Sequence, residues 1–400
     1  MVAHETTTIC NDFGLTFCDR VDTGDDTYNK ATSEAITWQA GTDGSLMPDN
    51  QTKTEGNDDQ VFWAFAAMSA AELKFPDPSG GNPSWAAIAQ NVFNQQAGRW
   101  DPSSCGGGLR WQIYTWNNGY TYKNTPSNGG FFQLAARLAR YTGNDTYVDW
   151  AEKMWTWMET AKLIDDTGGF FKVNDGADTP DNCASPNAAQ FSYNYGILIG
   201  GLAYLHNYTQ DDKWLTPLNG LLDTTWKYFF PRNEIMVESG CEPYNSCTTD
   251  GLTFKSFTLR WLALCAELVP DTASTIWPYI QASAAGAAGQ CDGGDDGTQC
   301  GYHWTTTTYD GLTGVGQEMS ALAAIQANMI TVESLSGPLT LDTGATSKQN
   351  PAANADDNEH KITPLAPITT ADKAGAWILT LIVIACVSAG TYWLIFIEVD

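Results

Sequence analysis

Two carboxyls stand side by side at Asp58 and Asp59, in the stretch GNDDQ, directly ahead of the apolar run VFWAFAAMSAAEL. Adjacent acids within one helical turn suit paired chemistry, in which an ionised group attacks while its protonated neighbour delivers a proton. A helix N-terminus favours the anion, and burial beside a like charge raises the pKa of the acid. A plainer reading exists. Asn57 followed by Gln60 fits a capping box, which would leave both aspartates as simple complements to the helix dipole.

The elements that would position such a pair decide between the two readings. Apolar residues recur with helical period in VFWAFAAMSAAEL, FFQLAARLARY, YGILIGGLAYLHNY, FTLRWLALCAEL and GQEMSALAAIQAN, which predicts helices buried all round. More amphipathic partners such as YVDWAEKMWTWMET alternate with them. Polar turns near Asp25, Ser84, Asn144, Asp211 and Asp271 repeat roughly every 60 residues, the length of a helical hairpin with its loops. The expected architecture is all-α, a toroid of about six hairpins with inner and outer helices; an open solenoid is the alternative.

Loops ahead of the inner helices then converge on one face. They carry Lys123, Asn124, Asn128, Tyr193, Asn194, Asp250 and Lys255, candidates for binding a substrate at one mouth. Capping and loop satisfaction would employ the asparagines and Asp250 equally well, and Lys255 would pair with Asp250. Trp63 and Trp111 offer ring faces for stacking, or core.

Composition narrows the partners. The formal charge of −26, from 46 acidic against 20 basic residues, repels phosphate backbones and excludes nucleic acid. Sixteen each of Trp, Tyr and Phe supply flat faces that suit sugars, most of them core. The close pairs Cys241/Cys247 and Cys291/Cys300 read as disulfides of an oxidising compartment, whereas Cys10, Cys18, Cys105, Cys183, Cys265 and Cys386 cannot be paired from sequence. Asn50, Asn144 and Asn207 open glycosylation sequons. The histidines are scattered and DGGDDG lacks the calcium-loop pattern, so neither metal nor cofactor is expected.

At the C-terminus, residues 333–373 read as a polar linker before an uncharged run from Ala374 to Ile397, long enough to span a bilayer. Small residues, spacer and apolar tail also describe a signal for a glycosylphosphatidylinositol (GPI) anchor. The lipid anchor is favoured, although Glu398 and Asp400 would suit a retained span. Residues 1–22 are atypical. They lack the apolar stretch of a signal peptide, so the expectation is that the natural beginning differs.

With GNDDQ, GGGLRWQI, YKNTPSNGGFFQLAARLARYTGNDTY, FSYNYG and DGLTFKS in this order, the chain resembles glycoside hydrolase family 76, in its fungal cell-wall branch, from about Thr23 to Val332. The resemblance implies an (α/α)6 toroid with Asp58 as nucleophile and Asp59 as proton donor. It further implies retaining action on α-1,6-linked mannose, in mannan or the GPI-core glycan, with glucan as an acceptor and a GPI-anchored, cell-surface location. Carboxyls on adjacent residues suit the short separation of retaining enzymes, about 5 to 5.5 Å. The family carries a Trp-rich inner helix where MVAHETTTICNDFGLTFCDRVD stands, so the ring is expected to be incomplete at its N-terminus. A noncatalytic mannan-binding or structural wall protein is the alternative.

Overall fold

The computed structural model describes residues 26–51, 53–167, 170–329, 337–353 and 369–396. The atypical opening segment, with Cys10 and Cys18, lies outside the described residues. Two units divide the chain, one up to His360 and one from Lys361.

Among the described residues of the first unit ten α-helices follow as α1 (Asn29–Ala40), α2 (Asn57–Glu72), α3 (Trp85–Gly98), α4 (Thr125–Thr142), α5 (Thr146–Thr160), α6 (Ser192–Thr209), α7 (Leu215–Phe229), α8 (Phe254–Leu268), α9 (Ala273–Ala288) and α10 (Val315–Met329). The even-numbered ones are the inner series, each packed on the next, with α3, α5, α7 and α9 outside them. This is the α/α toroid. Pattern explains the division: every residue of α2 except Ser69 is buried, whereas α5 buries only the stripe Tyr147, Val148, Ala151, Met154, Trp155, Trp157 and Met158. Inner helices approach closely because small residues face large ones. A Cβ on Gly130 would lie 2.4 Å from Val61, and one on Gly201 2.4 Å from the Phe132 ring.

The ends of the inner series, α10 and α2, do not pack on each other as the other inner neighbours do. Along α10, Val315, Leu322 and Ile325 remain exposed on one face.

Loops at the N-terminal ends of the inner helices add two short antiparallel pairs to the helical framework. Strand β1 (Tyr122–Asn124) pairs with β4 (Gly176–Asp178), and β2 (Ile164–Asp165) with β3 (Lys172–Val173). Both close cysteine pairs form disulfides, and a third, Cys105–Cys183, ties loops 78 residues apart. Cys265 is a buried thiol, pushed up to about 12 by burial.

At the opposite ends of the inner helices, a buried Arg137–Glu72 ion pair of 2.7 Å and a bond from the Tyr204 hydroxyl to Glu72 join α4, α2 and α6. Residues 337–353 cross this same region and are not a free linker. Leu339 N donates to Glu72 O at 3.0 Å, Leu341 N to Tyr141 O at 3.2 Å, and the Tyr141 hydroxyl to Ser347 O at 2.9 Å. The Ser347 hydroxyl donates to Asp77 and Asn350 N donates to Gln90. The polar composition here satisfies helix ends, which composition alone does not distinguish from solvation.

Of the three sequon asparagines, Asn207 is half-buried, its side chain accepting from Arg140 at 2.7 Å and donating to Leu268 O at 2.8 Å. Asn50 and Asn144 are exposed.

The second unit contains α11 (Thr370–Phe396), whose 27 residues rise about 40 Å. Over Thr370–Trp393 it is long and apolar enough to cross a membrane.

Glu238 anchors the start of α6, accepting from Ser192 N at 3.1 Å and from the Ser192 hydroxyl. Burial pushes its carboxyl up to about 8, against the lowering effect of those bonds. The fold therefore holds it protonated: its contribution is full below about pH 4.5 and is lost as pH rises to about 8. Glu238→Gln should flatten the decline of Tm across that window, read by calorimetry at several pH values. Ending the chain after residue 336 should lower the Tm of the helical unit by about 5 °C or more, at about 1 kcal/mol per lost hydrogen bond, while ending it after residue 353 should not.

Candidate active site

The N-terminus of α2 is built by close approach. Gly56 is the N-cap residue, and a Cβ there would lie 2.4 Å from the Asp58 carboxylate and 3.0 Å from Trp111 O. Asp59 reaches back to accept Gly56 N–H at 2.7 Å, so the capping pair runs one residue earlier than Asn57–Gln60. Asn57 N donates to Trp111 O at 2.8 Å and its side-chain amide to Arg110 O at 2.8 Å. Gln60 points away from the cap, donating to Ser45 O and Gln95. Behind the turn, Arg99 donates to Asn57 and Gln60, its guanidinium pushed down to about 10 by burial.

Both aspartates line a cleft of about 210 Å³. Asp58 accepts at both oxygens, from Asn124 Nδ2 at 2.9 Å and from Asp59 N at 2.9 Å. Burial and then the Asp59 charge push its carboxyl well above the usual range, while those two bonds pull it back. Two acids so placed titrate as a pair and keep one proton between them. Glu55, buried behind them, is also pushed well up, first by burial and then by Asp59.

Asn124 serves twice, capping α4 through Ser127 N and orienting Asp58. Trp111, Tyr193 and Asp250 also line the cleft, as expected. Tyr193 stacks on Phe254 with ring centres 4.0 Å apart, and burial with the charges of Asp175, Asp58 and Asp250 keeps its hydroxyl neutral.

Five expected sugar contacts lie elsewhere. Trp63 is core. Asn128 is fully buried and pins the preceding loop, accepting from Leu109 N at 2.7 Å and donating to Leu109 O and Asn124 O. Lys123 is fully buried too, donating to the carbonyls of Asp101, Ser104 and Gly107 and pairing with the Asp101 carboxylate at 3.2 Å. Lys255 pairs with Glu242 at 3.2 Å rather than with Asp250, and lies 3.8 Å from the ring centres of Tyr302 and Trp304. Asn194 is fully buried away from the cleft lining; burial pushes the neighbouring Asp175 carboxyl up, and Tyr122 and Asn194 pull it partway back.

Sequence reading missed Asp175 and Tyr122, which face the cleft from the β-paired loops and are joined by a 2.7 Å bond from the Tyr122 hydroxyl. It also missed the aromatic floor of Phe62, Phe254 and Phe257. Phe62 was legible, since it follows Asp58 by four residues on one helix face. Asp175 was not, because its place depends on strand pairing across distant loops. Among the described residues the cleft lining includes four aspartates and no Lys or Arg.

Comparison with known proteins supplies the family. The profile of glycosyl hydrolase family 76 matches residues 18–341, beginning somewhat before Thr23. The mannan endo-1,6-alpha-mannosidase DCW1 of Saccharomyces cerevisiae is 45% identical over 373 residues, covering 93% of this chain and 81% of that protein. The Chaetomium thermophilum Dfg5 crystal structure, in complex with glucosamine, is 40% identical with a TM-score of 0.82 over 87% of this chain and 85% of its own. An inactive variant of the Salegentibacter sp. HEL1_6 α-1,6-mannanase GH76A, in complex with α-1,6-mannotriose, shares the fold at 18% identity and a TM-score of 0.65, covering 81% and 89%. From the match across most of its length and the identity to the fungal relatives, the chain belongs to glycosyl hydrolase family 76.

Proposed function

We propose that this enzyme cleaves α-1,6-linked mannose with retention of configuration, and that Asp58 and Asp59 are its catalytic pair. The observation that carries the reading is their placement: adjacent on the first turn of α2, facing a cleft, with Asn124 and Gly56 fixing one oxygen of each. Asp58 attacks the anomeric carbon while Asp59 gives its proton to the departing glycosidic oxygen, leaving a glycosyl ester on Asp58. Asp59, now ionised, takes a proton from the incoming hydroxyl as that oxygen displaces Asp58. The names of the fungal relatives support mannan as the class of substrate.

The donor we favour is the mannose core of a GPI glycan, with wall glucan as acceptor in a transfer reaction. The four aspartates of the lining support it, since carboxylates attract the ammonium of an unacetylated amino sugar. The Chaetomium relative was crystallised with glucosamine. The apolar C-terminal helix supports attachment at the outer face of the plasma membrane, through a GPI signal or a retained span. Trp111, Asn124, Tyr193 and Asp250 are the sugar contacts retained from the sequence, with Asp175 and Tyr122 added.

Asp58→Asn and Asp59→Asn should each reduce turnover on an α-1,6-mannoside by at least about a thousandfold with Tm unchanged or raised; near-normal turnover in either would refute the assignment. A glucosamine-bearing glycan should bind about tenfold more tightly than its N-acetylated form, as befits a charge-assisted bond. Calorimetry should find that preference reduced by Asp175→Asn or Asp250→Asn and weakened at high salt.

A further inference from the structure

The loop carrying Trp111 presents a second aromatic feature that the cleft does not use. Trp116 is 45% exposed, in a domain whose large side chains are otherwise mostly buried. It stacks on Tyr114 at 4.7 Å with an interplanar angle of 19°. One ring face is thus backed by another aromatic, and the exposure leaves the indole surface open to a ligand.

The shelf is held in place. Trp116 Nε1 and Asn117 Nδ2 both donate to Lys53 O, at 3.4 and 3.0 Å, and Asn117 also donates to Gln112. Gln112 in turn forms a bridge with Gly56. The segment that fixes the shelf is therefore the one that leads into the catalytic turn. Lys53 precedes Asp58 by five residues, so the chain separates them by at most about 17 Å.

We propose that Trp116, backed by Tyr114, is a remote subsite that stacks one ring of a neutral hexose chain extending from the cleft. Three observations favour a neutral glycan over other occupants. The platform is flat and backbone-pinned, which stacking on the C–H face of a pyranose uses at little entropic cost. It stands on the same loop as Trp111, which lines the cleft, so the two surfaces are continuous through the chain. A single exposed ring pair is too small an apolar area for a protein partner. The idea rests on the glycan-cleaving reading and extends it: the cleft, lined by carboxyls, takes the reacting sugars, and the shelf takes the length of the chain.

The test uses the full chain carrying Asp58→Asn and Asp59→Asn, titrated by calorimetry with neutral α-1,6-manno- and β-1,3-gluco-oligosaccharides of two and six residues. In one series the hexasaccharide should bind about tenfold more tightly than the disaccharide, a fair return for one stacked ring. Trp116→Ala should abolish that increment, leave disaccharide affinity and Tm unchanged, and Trp116→Tyr should restore most of it. The series that shows the increment identifies the chain, mannan-like or glucan-like. Hexasaccharide binding that needs Trp116 but occurs without any disaccharide binding would uphold the shelf while counting against the cleft's proposed chemistry. An increment that survives Trp116→Ala, or no dependence on length in either series, would overturn the proposal.

Discussion

Two carboxyls on neighbouring residues, both withdrawn from bulk water, impose an electrostatic cost to which much of the structure answers. Desolvation and mutual repulsion both oppose ionisation, so the pair is stable only with a shared proton and donors aimed at it. The first turn of α2 provides N–H groups and dipole, Asn124 a side-chain donor, and Gly56 the space for Asp59 to fold back. Removing any of these would leave the chemistry formally present but the electrostatics unresolved.

Those donors must not move, and the surrounding fold explains why they do not. Asn124 is held as the cap of α4 and pinned again by Asn128, which is tied to the chain at Leu109. Lys123, one residue earlier, is locked by three carbonyls and Asp101. Buried cations of this kind contribute little as salt bridges, because desolvation offsets most of the attraction. They matter as knots that join a loop to a fixed position. Lys255 does the same by joining the loops that carry Glu242 and Tyr302 O.

At the far ends of the inner helices a different polar system operates. Arg137 and Glu72 bind three helices together, and the chain from residue 337 to 353 satisfies backbone groups that end there. The toroid therefore has one end whose cleft is lined by carboxyls and another where Arg137 and Glu72 form a buried ion pair.

Sequence alone determined the helical hairpins, their inner and outer alternation, two disulfides and the adjacent aspartates that line the cleft. These features are local: periodicity, loop length and adjacency survive without knowing what lies across the ring. Residue type at the loop mouths was informative only in part. Asn124, Tyr193, Asp250 and Trp111 face the cleft, while Asn128, Asn194, Lys123, Lys255 and Trp63, equally polar or aromatic and equally near the helix starts, turn inward. A side chain one position along a helix points about 100° away, so a reading that places a loop at the cleft does not place its side chains. Asp175 and the pairing of Cys105 with Cys183 lie beyond sequence altogether, because each depends on loops brought together from distant hairpins. The same holds for residues 337–353, whose composition is that of a linker. Only the tertiary structure places unsatisfied helix ends beside them, and the need to satisfy those buried groups turns a polar stretch into part of the fold.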